Sequence, residues 1–218
     1  MSDVVGEPVL RRIVVGDEPG SWRAGGFDVA ADGTTRLGGV TVDLVGRADG
    51  AGILSWSFAG LDAGGLTGGT IDGLPTSVTE EGQADPGHHP NGVTAIDHVV
   101  VASPDTGRMV AAFEAAGFVV RRVRDTGSYG APMRQTFLRS GAVILELIGP
   151  EVPGGDGPSG FFGLAHTVAD IDATAALLGA GLGAPKDAVQ TGRRIATLRH
   201  RDVGMSVATA FLSPEPAR

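Results

Sequence analysis

The apolar and polar positions that follow residue 92 predict a β-α-β-β-β unit. Residues 94–102 end in a run of β-branched side chains, which is typical of a strand. Apolar side chains then recur at helical spacing between Val110 and Ala116, with Ser103 as the expected N-cap and Pro104 at the first helical position. Three more strands are predicted, each bounded by turn residues: 118–124, 133–139 and 142–148.

The remainder of the chain repeats this order of elements. A strand is predicted at 163–168, and Asp170 is the expected N-cap of a helix over 171–178. Strand signals recur at 194–199 and 205–212, with a weaker one near 185–190. The two units together predict an α+β fold of paired βαβββ modules.

The N-terminal part of the chain looks like a shortened copy of the same pattern. Residues 36–46 align without gaps with residues 139–149, and five of the eleven positions are identical. The polar segment 81–91 is rich in Gly and Pro, which is typical of a linker. We therefore expect a degenerate N-terminal repeat at 1–80 and the paired βαβββ domain at 92–218.

Three residues in predicted strands have side chains that bind metal ions. His98 and His166 each lie in a predicted strand, and Glu146 interrupts the apolar strand 142–148. A carboxylate buried in such a strand needs a cation, because an isolated buried charge is costly. Two imidazoles and one carboxylate are a natural ligand set for zinc, nickel, manganese or iron(II). Sequence spacing alone does not show that they converge.

Each of these residues also has an ordinary structural explanation. Glu146 could pair with an arginine such as Arg122, Arg134 or Arg199. His98 could donate to a backbone carbonyl, and His166 could line a cavity. If Arg122 or Arg134 points into a cavity, it is instead a candidate substrate-binding residue, because a guanidinium fixes an anionic group by two hydrogen bonds.

The strands that carry these residues resemble those of the vicinal oxygen chelate superfamily, which includes glyoxalase, ring-cleaving dioxygenases and bleomycin-resistance proteins. The matching motifs lie in the first and fourth strands of the first unit, at 96–101 and 145–150, and in the first strand of the second, at 164–168. The resemblance implies a cupped mixed β-sheet with flanking helices. It also implies a divalent metal ion bound by the first and fourth strands of each unit.

The resemblance places His98, Glu146 and His166 on three of the four ligand positions. Ala210 occupies the fourth, and Glu215, five residues later in a proline-flanked tail, is an alternative donor. The implied function is that of a glyoxalase-like, metal-dependent lyase or isomerase acting on a small oxygen-rich substrate. A dioxygenase is less favoured, because in the dioxygenases of the superfamily the carboxylate comes from the final strand.

Two other functions fit the same resemblance. One is a metal-free protein that sequesters a small molecule in the cup, as the bleomycin-resistance members do. The other is a catalytically inactive scaffold whose repeats serve assembly. The fold does not separate these hypotheses, because one architecture can host isomerases, oxygenases and binding proteins.

Composition and charge exclude several classes of partner. The chain has 218 residues, a formal net charge of −8 and no cysteine, so disulfides, thiolate metal sites and a cysteine nucleophile are excluded. Neither half has the basic excess that binds nucleic acid, and no apolar run approaches the roughly 20 residues that cross a bilayer. The amino terminus lacks the features of a signal peptide, so we expect a cytoplasmic protein.

A homodimer is expected if the N-terminal copy serves as an assembly surface. In the linker, His88 and His89 are expected to be solvated.

Overall fold

The structure is a computed structural model that describes residues 6–127 and 131–216. The first five residues, which contribute to the expectation about a signal peptide, lie outside the described residues. None of the helices in the described ranges is long and apolar enough to cross a membrane.

The N-terminal part of the described chain contains strands β1–β6 and one short helix. The helix, α1, spans Pro19–Ala24 and has Pro19 at its start, where a missing backbone N–H costs nothing. The strands are β1 (Val9–Val15), β2 (Thr34–Leu37), β3 (Val40–Leu44), β4 (Ile53–Ala59), β5 (Thr70–Ile71) and β6 (Leu74–Val78).

The C-terminal part follows the predicted order of elements twice. The first unit consists of β7 (Val93–Ala102), α2 (Thr106–Ala115), β8 (Val120–Thr126), β9 (Met133–Ser140) and β10 (Val143–Pro150). The second consists of β11 (Gly160–Val168), α3 (Ile171–Leu178), β12 (Lys186–Asp187), β13 (Arg194–Thr197) and β14 (Ala208–Leu212). Strands β1–β6 form one mixed sheet and β7–β14 another, so the predicted α+β class is confirmed.

The helix ends show how local sequence sets these boundaries. The side chain of Asp170 accepts hydrogen bonds from two backbone N–H groups of the first turn of α3, as predicted. The predicted start of α2 is wrong by two residues. Its N-cap is Asp105, which accepts from the backbone N–H of Arg108 at 3.0 Å, whereas the Ser103 hydroxyl accepts from the backbone N–H of Asp105.

The chain forms two compact units, and each is assembled from three separated segments. The unit boundaries fall inside β1, β4, β7 and β11. Among the described residues, unit 1 comprises 6–12, 55–82, 98–127 and 131–162, and unit 2 comprises 13–54, 83–97 and 163–216. The division predicted at residues 81–91 is a different partition of the chain, and it stays a prediction.

In unit 1, the strands β7, β10, β9 and β8 lie side by side in that order. β10 is parallel to β7 and antiparallel to β9, and β9 is antiparallel to β8. One face of β7 and β10 is fully buried, because apolar side chains alternate along both strands, and β10 packs against α2. The buried residues are Val99, Val101, Leu145 and Leu147 on the strands and Met109 and Phe113 on the helix.

In unit 2, β14 is parallel to β11 and antiparallel to β13. The segment that joins β6 to β7 is bound firmly to this unit, since the Asn91 amide donates to the carbonyl of Gly25 at 3.0 Å. His89 is only 4% exposed, so the prediction that both linker histidines are solvated is wrong for His89. His88 is exposed as expected.

Candidate functional site

The face of the unit 1 sheet opposite α2 is half-exposed, and we call it the site face. Residues on it alternate with the buried residues, so they share one side of the sheet. His98 and Glu146 both point to this side. The apolar residues around them are neither buried nor fully exposed: Val100, Ala102, Phe137, Ile144 and Ile148.

His98 and Glu146 lie next to each other at the centre of the site face. Ile144 of β10 pairs with His98 of β7, which places Glu146 one step further along the same face. His98 Nε2 and Glu146 Oε2 are 3.4 Å apart, and the two side chains are 16% and 12% exposed. A strong charge-assisted hydrogen bond is shorter, at about 2.7–2.9 Å.

Gln135 completes this polar cluster, and sequence reasoning missed it. Its Nε2 donates to Glu146 Oε1 at 2.5 Å, and the residue is only 4% exposed. Gln135 pairs with Ile148 in the β9–β10 ladder, so it lies diagonally across from Glu146 on the same face. The hydrogen bond fixes the carboxylate so that its other oxygen faces His98.

A register count could have found Gln135 in the sequence. The short turn at Ser140–Val143 pairs those two residues, and each step away from the turn adds one residue on both strands. That count sets Glu146 opposite Phe137 and places Gln135 two residues further along β9. The count requires the exact position of the turn. The strand predicted to end at residue 139 is one residue shorter than β9, which ends at Ser140.

The two candidate substrate-binding arginines lie on opposite faces of the hairpin formed by β8 and β9. Arg122 pairs with Phe137 in the β8–β9 ladder, so it lies on the site face, where it is exposed. Arg134 pairs with Asp125 and lies on the other face. The Arg134 guanidinium donates to both carboxylate oxygens of Asp125, which lowers the pKa of that carboxyl and raises the pKa of Arg134.

His166 lies in unit 2, inside a group of aromatic side chains. Its ring is fully buried, and its centroid is 5.2 Å from that of Phe27 and 5.9 Å from that of Phe211. Trp22 packs edge-on against the same ring. We call these four residues the aromatic cluster of unit 2.

The register of unit 2 shows which face of β11 carries His166. His166 pairs with Phe211, whereas Ala210, the expected fourth ligand position, pairs with Ala165. His166 and position 210 therefore lie on opposite faces, which differs from the expectation that they share one site. The residue that corresponds to His98 is Gly163, because each lies seven residues before the N-cap aspartate of the following helix.

The residues present do not complete the metal site that the resemblance implies. Two ligands of one tetrahedral zinc ion, each bound at about 2.1 Å, are about 3.4 Å apart, so His98 and Glu146 have suitable spacing. A catalytic zinc site ordinarily uses three protein ligands. Within residues 6–127 and 131–216, no three His, Cys, Asp or Glu side chains form a group that could hold a metal ion. Glu215 is exposed in unit 2.

Comparison with solved structures identifies the fold. The 4-hydroxymandelate synthase from Streptomyces coelicolor, in a triply substituted form, superposes with a TM-score of 0.63 at 15% identity, over 96% of this chain and 93% of that one. An extradiol ring-cleaving dioxygenase from B. fuscum superposes with a TM-score of 0.59 at 14% identity, over 99% of this chain and 75% of that one. No protein-family model matches the chain, and no curated protein sequence matches it significantly.

These superpositions extend over almost the whole chain, including the N-terminal part. The protein therefore has the fold of the vicinal oxygen chelate superfamily, and the resemblance seen in the sequence is confirmed at the level of fold. Identities near 15% describe the fold alone, so the function must be argued from the site.

Proposed function

We propose that this protein binds a small organic molecule on the site face of unit 1, through His98, Glu146 and Gln135. The observation that carries the proposal is a hydrogen-bonded polar cluster at the centre of a half-exposed, otherwise apolar strand face. Small-molecule sites are typically apolar surfaces with a few fixed polar groups. Such groups give orientation, while the apolar surroundings contribute the hydrophobic part of the affinity.

The geometry of the cluster suits a ligand hydroxyl or amine. Gln135 occupies one oxygen of the Glu146 carboxylate, and the other faces His98 across 3.4 Å. A ligand hydroxyl that approaches this edge could donate to Glu146 and lie beside the imidazole of His98. A carboxylate held in advance by Gln135 loses little conformational freedom on binding, which favours affinity.

A metal-dependent lyase or isomerase is the second candidate function. It is favoured by the distance between His98 Nε2 and Glu146 Oε2, which fits two ligands of one divalent ion. Such an ion would polarise an oxygen of the substrate. The donor set provides two protein ligands, and for this reason we place metal-free binding first. The role of His166 as a third ligand stays a prediction.

Ligand binding and metal content separate the two functions. We would screen small oxygen-rich molecules by thermal shift and measure the affinity of any hit for the wild type, Glu146→Gln and His98→Ala. Binding to the native state raises its stability by about 2.7 kcal/mol when the ligand is at 100 times its dissociation constant. A hit that both variants lose supports the proposal, and a hit that both retain places the site elsewhere.

The metal arm uses the same variants. Purified protein would be loaded with zinc, nickel, manganese or iron(II) and its metal content measured. Stoichiometric metal that is lost in Glu146→Gln and His98→Ala would replace our proposal with the metal-dependent enzyme. Glu114→Gln is the matched control, because Glu114 is an exposed carboxylate on α2, away from the site face.

A further inference from the structure

We infer that the ligand of the site face is a small carboxylate with an apolar body and a hydrogen-bond donor at its far end. This inference rests on the proposed function and adds the chemical class of the ligand. It comes from the order of side chains across the four strands, which separates an anionic end of the site from a cationic end.

The site face is organised in rows that run across the strands. One row contains Val100, Glu146, Phe137 and Arg122, because each is the register partner of the next. Neighbouring strands are about 4.8 Å apart, so the backbones of Glu146 and Arg122 are separated by about 10 Å, with Phe137 between them. The ring of Phe137 thus lies between a carboxylate and a guanidinium.

The neighbouring rows have the same polarity. Arg124 of β8 pairs with Gln135, and Gln135 pairs with Ile148. On the other side, Arg139 of β9 pairs with Ile144, which pairs with His98. Each of these three rows therefore has an arginine on β8 or β9. Glu146 and His98 lie on the other two strands, β10 and β7. Arg122 and Arg124 lie beside Phe137 on β8, and Arg139 lies two residues from it along β9.

Arg122 and Arg124 differ from two other arginines of the same hairpin in their ion pairing. Arg134 is held by Asp125, and Arg121 pairs with Glu7 at 2.5 Å. Neither Arg122 nor Arg124 forms an ion pair or a side-chain hydrogen bond with another described residue. Arg122 is exposed and Arg124 is half-exposed. Both guanidinium groups are thus available to an anion that reaches the site face.

Charge complementarity then fixes the orientation of the ligand. A carboxylate next to Glu146 would be repelled, whereas next to Arg122 and Arg124 it can form two parallel hydrogen bonds. The apolar body would lie on Phe137, Ile144 and Ile148, which are half-exposed. A hydroxyl or amine at the far end would donate to Glu146. A span of about 10 Å between the two ends of the site suits a short ligand.

The test uses matched compounds that lose one feature at a time. Three hydroxy acids of different length would be used: 4-hydroxybenzoate, 3-(4-hydroxyphenyl)propanoate and 6-hydroxyhexanoate. Each is compared with its methyl ester, which lacks the charge, and with the acid that lacks the hydroxyl. Affinities would be measured calorimetrically for the wild type, Glu146→Gln and the double variant Arg122→Ala/Arg124→Ala.

We expect at least one hydroxy acid to bind, with its methyl ester weaker by about tenfold or more, the effect of one charge-assisted contact. The double variant should bind acid and ester equally, while Glu146→Gln should lose the preference for the hydroxyl. Arg134→Ala is the matched control, because it removes a cation from the same hairpin on the opposite face. It should keep the wild-type preference for the acid.

The outcomes separate this inference from the proposed function. If esters bind as well as acids, or if the double variant keeps the preference for acids, the inferred class is wrong while binding at the site face stands. If none of these compounds binds but a screening hit without a carboxylate depends on Glu146, the class is again wrong. If nothing binds at His98 and Glu146 at all, both proposals fail. Circular dichroism of each variant would verify that it is folded.

Discussion

Gln135 donates a hydrogen bond through Nε2 to Oε1 of Glu146 at 2.5 Å, and the two residues lie on adjacent antiparallel strands. The amide thereby determines which oxygen of the carboxylate faces His98. A residue that hydrogen-bonds to a ligand-contacting side chain can affect ligand binding strongly, because it sets the position of that side chain.

Replacing Gln135 should therefore weaken ligand binding and also lower the stability of the fold. In Gln135→Leu, the carboxylate loses its partner while the size of the side chain is roughly kept. We expect affinity for a ligand of the site face to fall about tenfold, and the free energy of unfolding to fall by about 1–3 kcal/mol. Calorimetric titration and urea denaturation would measure the two effects. Gln190→Leu, at an exposed glutamine, should change neither; wild-type affinity in Gln135→Leu would show that Glu146 needs no support.

The stability of unit 2 should depend on pH through His89. Its Nδ1 accepts from the backbone N–H of Asp28 at 3.1 Å, and its Nε2 lies 2.9 Å from the carbonyl of Arg36, so the fold holds the neutral ring. Burial lowers the pKa of His89 below its ordinary value of 6.5. Below that pH, the unfolded chain binds a proton that the folded chain does not, and stability therefore decreases as the pH falls.

Urea denaturation at about pH 7.5 and about pH 5.5 would measure this effect. The decrease in the free energy of unfolding between the two pH values should be smaller in His89→Gln than in the wild type, because glutamine does not titrate. His88→Gln is the matched control, since His88 is the neighbouring histidine and is exposed. An unchanged decrease in His89→Gln would contradict the assignment.

Local sequence signals were sufficient to predict most of the fold. Helix α3 and its cap Asp170 were predicted to the residue, because capping and apolar spacing act over a few positions. The start of α2 was missed, because Ser103, Pro104 and Asp105 are all acceptable at a helix start and only the backbone decides between them. The burial of His89 was missed for a different reason, since its partners Asp28 and Arg36 lie more than 50 residues away.

Prediction of the site depended on knowing which face of its strand each residue occupies. The structure brings His98 and Glu146 together, and both lie in clear strands whose order the resemblance supplied. For His166, an alignment shift by an odd number of residues reverses the face. Counting back from Asp105 and Asp170 would have selected Gly163 instead. The position of Gln135 next to Glu146 depends on the register between β9 and β10, and the sequence of neither strand alone specifies that register.

Asp17 should be a main source of stability in unit 2. Its carboxylate is fully buried and accepts from the Trp22 indole at 3.1 Å and from the backbone N–H and the hydroxyl of Ser206 at 3.0 and 2.7 Å. Arg47 contributes an ion pair at 3.2 Å. Removing the acceptor would leave several buried donors unsatisfied, and each such group costs free energy.

We therefore expect Asp17→Ala to lower the free energy of unfolding by about 3 kcal/mol or more, as measured by urea denaturation. Asp49→Ala, at an exposed aspartate in the same unit, should have little effect. A small effect of Asp17→Ala would mean that water replaces the carboxylate, which the complete burial of Asp17 argues against.

His166 offers a direct choice between a structural role and a metal-binding role. Because its ring packs in the aromatic cluster of unit 2, His166→Ala should leave a cavity and lower the free energy of unfolding by about 2–4 kcal/mol. His166→Phe keeps an aromatic ring of similar shape and should retain most of the stability. Both variants should bind a ligand of the site face with wild-type affinity, and neither should change the metal content of loaded protein. If His166→Phe folds normally but loses metal that the wild type retains, His166 is a ligand after all, and the donor set would then reach the three side chains that a catalytic metal site requires.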